Sequence, residues 1–430
     1  MQQQFVITGG TPLKGEITAS GNKNAALKMI PACILTDEPV TLHNVPDIGD
    51  VRSLIVIMQA IGADIQWIAP RTLRVHVQNV TTSEISAALT SRLRASIVLA
   101  GPLLARTGRV ALGFPGGDSI GERRLDTHIH ALRRLGAVAT FDSAIRLEAN
   151  HLTGAEIMLV EASVTATENA VMAATLAHGT TIIHNAASEP HVQDLCKMLV
   201  MMGAHIDGIG SNRLTIIGVQ RLHGGEARVG ADFMEVGSYI GAAVLTGGEI
   251  TIRQADPAYL DMIALVFDRL GVHWDVQGAD IHVPAHQDLI ITPDLGGRIP
   301  IIKAQPWPAF PSDLMSVALT VATQSAGVVM FHDWMYESRF FFTDRLIRMG
   351  ARITLCDPHR VLVQGPTPLI GQSNVTSPDI RAGMSMLLAA LAAKGETHIN
   401  NIQQIDRGYE RIEEKLTALG AQIMRVTLEE

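Results

Sequence analysis

The segment KLTALGAQIMRV (415–426) contains the pattern that decides the fold, which is a short apolar helix, a glycine and then a short strand. The pattern occurs five more times upstream, in IMQAIGADIQ (57–66), HALRRLGAVATF (130–141), MLVMMGAHIDG (198–208), VFDRLGVHWDV (266–276) and RLIRMGARITL (345–355). Successive glycines in the six segments are 67 to 79 residues apart. Because a period of this length indicates stacked copies of one unit, we predict six α/β repeats. Each glycine should end its helix in the left-handed region, where a Cβ atom is disfavoured.

Each repeat also contains a second strand and a second helix. Segments such as GTTIIHNAA (179–187) and GETHINNI (395–402) are typical of short strands. Before them lie Ala- and Leu-rich segments with few charges, such as TENAVMAATLAH (167–178) and RAGMSMLLAALAA (381–393), which are typical of helices buried against a sheet.

Six repeats are too many for one hydrophobic core, so we predict two domains of three repeats each. We assign the first domain to residues 22–229 and the second to residues 1–21 and 230–430. The segment FVITGGTPLKGEITA (5–19) is predicted to form two strands outside the repeats that close a sheet of the second domain.

Composition excludes several classes of protein. Hydrophobic residues make up 47% of the chain, aromatic residues only 4%, and the net charge is −8. Binding to nucleic acid or to an anionic membrane requires clustered Lys and Arg, so neither partner is expected, and a DNA-encircling clamp is disfavoured. Three cysteines far apart (Cys33, Cys196 and Cys356) indicate a reduced, cytoplasmic protein with no metal site. The apolar run MSMLLAALAA (384–393) is too short to span a bilayer and residues 1–8 lack a signal-peptide pattern, so we expect neither a membrane span nor a signal peptide.

Two segments of the first domain carry charges that packing does not require. In SGNKNAAL (20–27), Lys23 and Asn24 open an apolar helix, where a lysine opposes the helix dipole unless an anion is bound there. In FPGGDSIGERRLDTHIH (114–130), glycines surround Asp118 and precede Arg123, which suggests a mobile lid with proton-transfer and phosphate-binding groups. The alternatives are a solvated lysine and a plain solvated loop.

The second domain offers three further positions. Asp313 follows Pro-Ser, where an aspartate is often only a helix cap. Asp379 and Arg381 open a helix, and Arg407 lies in a loop before Gly408. The charged residues of 410–415 are predicted to form a solvated helix face.

Five cations occupy equivalent helix-opening or loop positions in different repeats, namely Lys23, Arg94, Arg123, Arg381 and Arg407. In a threefold domain such positions share one end, so two facing domains would gather them around one cleft. Several cations and helix N-termini around one or two carboxylates suit a phosphate-bearing substrate and a reaction that needs proton transfer.

Several long motifs resemble those of the UDP-N-acetylglucosamine enolpyruvyl transferase family. They are SGNKNAAL, RLRASIVLAGPLLAR, PGGDSIG followed by Arg123, TATEN, AFPSD and IDRGYERIEEKLTALGA. The resemblance spans nearly the whole chain. It implies a two-domain inside-out α/β barrel that closes on its substrates and, because the shikimate-pathway relative's Gly-Asn-Ala-Gly-Thr segment is missing, a sugar-nucleotide acceptor.

The implied reaction moves the enolpyruvyl group of phosphoenolpyruvate to the 3′-hydroxyl of UDP-N-acetylglucosamine and releases phosphate, without a cofactor, as the first committed step of peptidoglycan synthesis. The resemblance implies a monomer or weak oligomer. It assigns catalysis to Asp118, Asp313 and Lys23, with Asp313 as base. The implied substrate-binding residues are Lys23, Arg123 and Arg407 for phosphoenolpyruvate, Asn24, Arg94 and Asp313 for the sugar nucleotide, and Asp126, Ser163, Val164, Met335, Asp379 and Arg381.

The chain departs from the family pattern at five positions. Asp118 replaces the usual Cys and implies resistance to fosfomycin, which alkylates that thiolate. Glu161, Thr165, Arg124 and Phe233 stand where a basic residue, Gly, Pro and Arg are usual. These departures leave open an enolpyruvyl transferase acting on a different nucleotide or sugar acceptor, and a catalytically silent paralogue is a further alternative.

Overall fold

The structure is a computed structural model that describes residues 3–117, 121 and 123–428. In this part of the chain the α-helices are α1 (Lys23–Ala32), α2 (Gly49–Ala60), α3 (Ala87–Thr90), α4 (Ala100–Thr107), α5 (Asp126–Arg134), α6 (Val164–Ala174), α7 (Pro190–Met201), α8 (Phe233–Thr246), α9 (Asp261–Asp268), α10 (Met315–Ala322), α11 (Thr343–Arg348), α12 (Ile380–Ala392), α13 (Gln403–Asp406) and α14 (Ile412–Ala418). Short 3₁₀ helices lie at Cys33–Leu35, Arg94–Leu99, Pro257–Tyr259 and Ser312–Leu314.

The strands in the same residues are short, and most of them alternate buried and exposed side chains. They are β1 (Gln3–Thr8), β2 (Lys14–Thr18), β3 (Val40–His43), β4 (Asp64–Ala69), β5 (Thr72–His76), β6 (Glu84–Ile85), β7 (Arg109–Leu112), β8 (Val138–Phe141), β9 (Ile145–Glu148), β10 (Glu156–Met158), β11 (Thr180–His184), β12 (His205–Asp207), β13 (Arg213–Ile217), β14 (Gly225–Arg228), β15 (Glu249–Arg253), β16 (Asp275–Gln277), β17 (Asp280–Val283), β18 (Ile301–Lys303), β19 (Gly327–His332), β20 (Arg352–Asp357), β21 (Arg360–Gly365), β22 (Val375–Thr376), β23 (Glu396–Asn400) and β24 (Gln422–Thr427).

Outside the 118–122 segment, the described residues form two compact units. The first unit contains residues 21–117 and 123–230, and the second contains residues 3–20 and 231–428. Each unit has its own hydrophobic core.

Each unit has three four-stranded sheets among its described residues. In the first unit the strand orders are β14-β3-β5-β4, β6-β7-β9-β8 and β10-β11-β13-β12; in the second unit they are β2-β15-β17-β16, β18-β19-β21-β20 and β22-β23-β1-β24. In every sheet the first two strands are parallel and the other two pairings are antiparallel. The same small sheet is therefore built six times.

The amino-terminal segment joins the second unit. β1 lies between β23 and β24, and β2 pairs in parallel with β15. The predicted strands of 5–19 are thus confirmed, although they complete two sheets of the repeats rather than lying outside them.

Apolar helices occupy the core of each unit. In the second unit α8, α10 and α12 pack against one another, and their apolar residues are almost all buried. In the first unit α4 and α6 pack together, and α1 packs on α7. Polar side chains at the first residues of these helices are therefore held by a rigid core.

The repeated glycines have the predicted backbone conformation. Gly62, Gly136 and Gly203 in the first unit have φ values of 103°, 102° and 103°. In the second unit φ is also positive at the three equivalent glycines, which are Gly271, Gly350 and Gly420. The prediction of left-handed helix ends is confirmed.

Candidate functional site

In the first unit, Lys23 is the first residue of α1. The side chain of Asn22 caps this helix by accepting a hydrogen bond from the Ala25 amide at 2.9 Å. Lys23 Nζ lies 3.2 Å from Asp50 Oδ2 on α2, and the two side chains are only 12% and 4% exposed. The lysine is therefore not simply solvated, because a buried carboxylate holds it at the helix N-terminus. Asn24 follows it and is half-buried.

Arg94 and Arg123 lie close together in the same unit. The Arg94 guanidinium donates a hydrogen bond to the Arg123 carbonyl oxygen. Gly117 has a φ of 116°, and a Cβ atom there would be 2.7 Å from the Arg94 Cβ and 2.9 Å from the Arg123 Nη2. Only glycine therefore allows this loop to approach both arginines. Asp118, the predicted acid, lies outside the described residues.

The predicted residues Asp126, Ser163 and Val164 lie at two helix starts. Asp126 opens α5, Ser163 is the N-cap residue of α6, and Val164 is its first residue. Arg124 Nε lies 3.4 Å from Asp126 Oδ2, and both side chains are more than 70% exposed. This pair is a surface interaction, which contributes little to stability.

Two departures from the family pattern also have partners at these helix starts. The Thr127 hydroxyl donates to Glu161 Oε1 at 3.3 Å, and His128 Nε2 lies 2.9 Å from Thr165 Oγ1. Phe233 differs, because it lies in the core of the second unit with its ring centroid 5.6 Å from that of Trp307.

In the second unit, two buried arginines hold Asp313. Arg339 Nη2 donates to Oδ1 and Arg381 Nε donates to Oδ2, each at 3.0 Å. The arginine side chains are 4% and 6% exposed, whereas the aspartate is 32% exposed. Charge-assisted bonds to separate oxygens fix the carboxylate plane and favour its ionised form. Asp313 is thus held by two buried arginines, and part of its side chain remains exposed.

Asp379 caps α12. Its Oδ1 accepts hydrogen bonds from the amides of Arg381 and Ala382 at 2.8 and 3.0 Å. The capping role that the sequence suggested for Asp313 therefore belongs to Asp379, which places Arg381 on the first turn of the helix.

A buried tyrosine also contacts Arg381. Nη1 of Arg381 lies 3.3 Å from the Tyr409 hydroxyl, which lies 3.0 Å from Ser238 Oγ. Burial alone would lower the pKa of Arg381, but Asp313 and Tyr409 raise it above its ordinary value. Arg381 therefore remains charged. Arg407, two residues before Tyr409, donates to Gln404 Oε1 at 2.8 Å.

The sequence did not identify Arg339, Asp333 or Ser312 as part of this arrangement. Arg339 Nε donates to Ser312 Oγ at 3.1 Å, and the Ser312 hydroxyl donates to the fully buried Asp333. Asp333 Oδ1 accepts from the amide of Met335 at 3.0 Å, so the predicted residue Met335 is attached to the same network. The segment WMYESRFF (334–341) has no repeat pattern or helix-opening position that would have singled out Arg339.

The predicted solvated helix face of 410–415 is wrong for three of its residues. The Glu413 side chain is only 13% exposed and pairs with Arg425. Glu410 is 3% exposed, and its carboxylate accepts a hydrogen bond from Ser20. Lys415 Nζ lies 2.6 Å from the buried Glu235 Oε1. Arg411 and Glu414 form a surface pair, at 3.6 Å.

The chain is similar to known proteins over nearly its full length. A profile of the family described as EPSP synthase (3-phosphoshikimate 1-carboxyvinyltransferase) matches residues 7–416. Proteins named UDP-N-acetylglucosamine 1-carboxyvinyltransferase are 51% identical in Treponema denticola, over 98% of both chains, and 53% identical in Borreliella burgdorferi, over 98% of this chain and 99% of that protein.

Solved structures give the same result. The enolpyruvyl transferase NikO from Streptomyces tendae is 26% identical, with a TM-score of 0.87 and complete coverage of both chains. An EPSP synthase from Acinetobacter baumannii, 17% identical with a TM-score of 0.76 over 99% of this chain and 100% of that one, shares the fold. These matches define a carboxyvinyl-transferring class of enzyme with mixed α/β sheets. The chain belongs to the EPSP synthase family, in its UDP-N-acetylglucosamine 1-carboxyvinyltransferase branch.

No helix in the described part of the chain has the length and apolar character needed to cross a bilayer.

Proposed function

We propose that this enzyme transfers the enolpyruvyl group of phosphoenolpyruvate to the 3′-hydroxyl of UDP-N-acetylglucosamine and releases phosphate. The observation that carries the proposal is the 51–53% identity, over 98% of this chain, to proteins named for this activity. The geometry of Asp313 supports it, because an oriented, ionised carboxylate with an outward face suits a base for a hydroxyl group. In the cell, the reaction would take place in the cytoplasm and commit material to peptidoglycan.

The chemistry balances with two acid–base groups. The acceptor oxygen bonds to C2 of phosphoenolpyruvate, Asp313 receives the hydroxyl proton, and C3 gains a proton from an acid that we assign to Asp118. The tetrahedral adduct then loses a proton from C3 and the phosphate from C2, which restores the double bond. No oxidant, reductant or cofactor is needed.

We assign phosphoenolpyruvate binding to Lys23, Arg123 and Arg407, and acceptor binding to Asn24, Arg94 and Asp313. In support, Lys23 and Arg94 stand at the first residues of helical segments, where backbone N–H groups and a cation together favour an anion. Further substrate contacts are proposed for Asp126, Ser163, Val164, Met335, Asp379 and Arg381.

We further propose that the two domains, 22–229 and 1–21 with 230–430, are inside-out α/β barrels. Supporting this are the equivalent strand order of the three sheets in each unit and the buried apolar helices in each core. Closure of the Asp118 loop after the acceptor binds would exclude water from the adduct.

The test is phosphate release from phosphoenolpyruvate with a panel of acceptors: UDP-N-acetylglucosamine, UDP-N-acetylgalactosamine, UDP-glucose and shikimate 3-phosphate. We expect turnover to require UDP-N-acetylglucosamine, with an enolpyruvyl ether as the coupled product. Preference for another acceptor would contradict the proposed substrate, and no turnover with any of them would contradict the proposed activity. The Asp313→Asn variant supplies the background rate.

A further inference from the structure

A buried hydrogen-bond chain in the second unit begins at Arg381 and runs away from Asp313. Arg381 Nη1 lies 3.3 Å from the Tyr409 hydroxyl, and that hydroxyl lies 3.0 Å from Ser238 Oγ. Tyr409 and Ser238 are both buried, so their hydroxyl groups need hydrogen-bond partners inside the protein.

The direction of each hydrogen bond in this chain is determined by its two ends. A guanidinium group can only donate, so the Tyr409 oxygen accepts from Arg381. The Ser238 hydroxyl donates to the Met234 carbonyl, one turn earlier in α8, at 2.8 Å. Burial raises the pKa of the Tyr409 phenol above its ordinary value, although Arg381 opposes this effect, so the phenol keeps its hydrogen. That hydrogen therefore goes to Ser238 Oγ, and every donor in the chain points from Arg381 towards α8.

Two glycines allow the segment 405–409 to lie close to the start of α12. A Cβ atom at Gly408 would be 2.5 Å from Ile380 Cγ2, and one at Gly383 would be 2.7 Å from Ile405 Cγ1. Any larger residue at either position would push the segment away from the helix. Packing therefore holds the phenol in place together with the hydrogen bonds.

Arg381 is held at two of its three guanidinium nitrogens. Nε donates to Asp313 Oδ2 at 3.0 Å, and Nη1 donates to the Tyr409 hydroxyl. The backbone of Arg381 is fixed as well, because its amide donates to Asp379 and its carbonyl accepts from Ser316. Since the guanidinium group is planar and rigid, the bond to the phenol fixes the direction from which Nε meets the Asp313 carboxylate.

We propose that Tyr409 is a positioning residue for the transfer reaction, which acts through Arg381 to align the Asp313 carboxylate with the acceptor hydroxyl. Ser238 supports this role by accepting the phenol hydrogen. The inference rests on the proposed function and deepens it, because it adds a buried group behind Arg381 that sets the alignment of the base. Alignment affects the rate because a proton is transferred efficiently only across a short, well-directed hydrogen bond.

The first test compares Tyr409→Phe with Tyr239→Phe. Each variant removes one buried hydroxyl from the same core, but the Tyr239 hydroxyl donates to Glu235 Oε1 at 2.6 Å and lies outside the chain from Arg381 to Met234. We expect kcat for phosphate release to fall on the order of tenfold or more in Tyr409→Phe, as for one lost hydrogen bond to a charged group, and to stay within about threefold in Tyr239→Phe. The Kd of UDP-N-acetylglucosamine, measured by calorimetry, should stay within about threefold in both variants, because alignment of the base affects turnover rather than binding.

Ser238→Ala provides a second measurement. This variant keeps the phenol but removes the acceptor of its hydrogen, so the Tyr409 oxygen is no longer held in one orientation. We expect kcat to fall by about threefold or more, less than in Tyr409→Phe, with the same Kd for UDP-N-acetylglucosamine. Unchanged turnover in Ser238→Ala would contradict the proposed chain.

The outcomes separate this inference from the proposed function. If the unmodified enzyme releases no phosphate with UDP-N-acetylglucosamine, the proposed function fails and the role of Tyr409 fails with it. If the unmodified enzyme turns over and Tyr409→Phe does so at the same rate, or if Tyr239→Phe loses as much activity, only the role of Tyr409 is wrong. Loss of acceptor binding in Tyr409→Phe would also overturn it, because the phenol would then support binding and not the alignment of the base.

Discussion

At Asp313, two guanidinium groups approach different oxygens of one carboxylate, and each arginine is itself held from behind. Arg339 is bonded to Ser312, and Arg381 contacts Tyr409. Such a chain of charge-assisted bonds limits the side chain to one orientation, which is what a proton acceptor for a bound hydroxyl requires. The geometry, rather than the residue type alone, distinguishes this aspartate from the cap Asp379.

Replacing Asp313 by Asn should therefore separate binding from turnover. We expect Asp313→Asn to bind UDP-N-acetylglucosamine but to turn over at least roughly a hundredfold more slowly, because the base is lost. The measurements are calorimetric binding and phosphate release. Asp344→Asn, which alters an exposed aspartate paired with Arg345, is the control. Near-normal turnover in Asp313→Asn would remove this residue from the role of base.

Asp118 should make the enzyme insensitive to fosfomycin, because a carboxylate at that position offers no thiolate to alkylate. We expect no time-dependent loss of activity when the unmodified enzyme is incubated with the drug. Asp118→Cys should retain some activity and become sensitive. Progressive inactivation of the unmodified enzyme would contradict the assignment.

His128 should make the first unit sensitive to acid. Burial lowers the pKa of His128 from its ordinary value of 6.5 to about 3, so the ring binds fewer protons when the protein is folded than when it is unfolded. Its contribution to stability is therefore complete above pH 6.5 and is lost as the pH falls towards 3, by a few kcal/mol at the acidic end. Urea unfolding followed from pH 7 to 4 should show a smaller loss of stability in His128→Gln than in the unmodified protein.

The neighbouring His130→Gln substitution is the matched control for that comparison. His130 Nε2 is hydrogen-bonded to the Met158 carbonyl at an exposed site. An equal loss of stability in all three proteins would show that His128 is not the group responsible.

The sequence could identify Lys23, Asp313 and Arg381 because each stands where an apolar helix begins. A charged residue at such a position can be recognised from the sequence alone. Arg339 and Asp333 could not be identified in this way. Asp333 contacts Ser312 across 21 positions of the chain, and Arg339 contacts Asp313 across 26. No local sequence pattern encodes contacts at such separations. The buried His128–Asn169 pair was missed for the same reason.

At the scale of the element, the segment 410–418 shows where charge patterning misleads. Its acidic and basic residues suggested an exposed helix. In the structure the helix α14 covers only Ile412–Ala418, and Lys415 contacts Glu235 and Ser20. Alternating charges cannot distinguish an exposed pair from a buried one, because the partner Glu235 lies 180 residues away. Elsewhere, the motif RLRASIVLAGPLLA contains a 3₁₀ helix, Arg94–Leu99, that leads into α4.

Lys415→Met should consequently destabilise the second unit. The substitution leaves Glu235, whose side chain is 3% exposed, without its cation, and breaking a buried pair in this way costs about 3–5 kcal/mol. We expect a clear fall in the urea midpoint. Glu414→Gln, one residue earlier and 63% exposed in its pair with Arg411, should leave the midpoint unchanged. Equal midpoints for the two variants would mean that Lys415 is effectively solvated.

At the scale of the whole molecule, the period of the glycines predicted how often the structure repeats, but not how the chain completes its sheets. β14 (225–228) returns to pair with β3 (40–43), and β1 inserts between β23 and β24 near the other end of the chain. β14 and β3 are 185 residues apart in the sequence, and β1 is almost 400 residues or more from both of its partners. The short strands involved carry no register signal strong enough to predict these pairings. Local periodicity therefore predicts the repeats, and the closing strands become evident only from the structure.

The same repetition allows a prediction about equivalent positions that differ in their surroundings. Gly271 and Gly420 both end a helix of the second unit with positive φ, at 79° and 98°. A Cβ atom at Gly420 would meet nothing within 4 Å, whereas at Gly271 it would lie 2.1 Å from the Asp288 carbonyl oxygen and 2.5 Å from the Ile290 nitrogen. Both substitutions to Ala carry the left-handed backbone cost of roughly 1–2 kcal/mol. Only Gly271→Ala also forces the backbone of 288–290 to move.

We therefore expect Gly271→Ala to lower stability by roughly 1–3 kcal/mol more than Gly420→Ala, the range typical of overpacking. Urea unfolding of the two variants measures the difference in their free energies of unfolding. Because both glycines have positive φ, the backbone cost is similar in the two variants and largely cancels in the comparison. Equal losses would mean that the loop at 288–290 yields freely, so that the glycine at 271 is required for its backbone conformation alone. A larger loss for Gly420→Ala would contradict the packing around both helix ends.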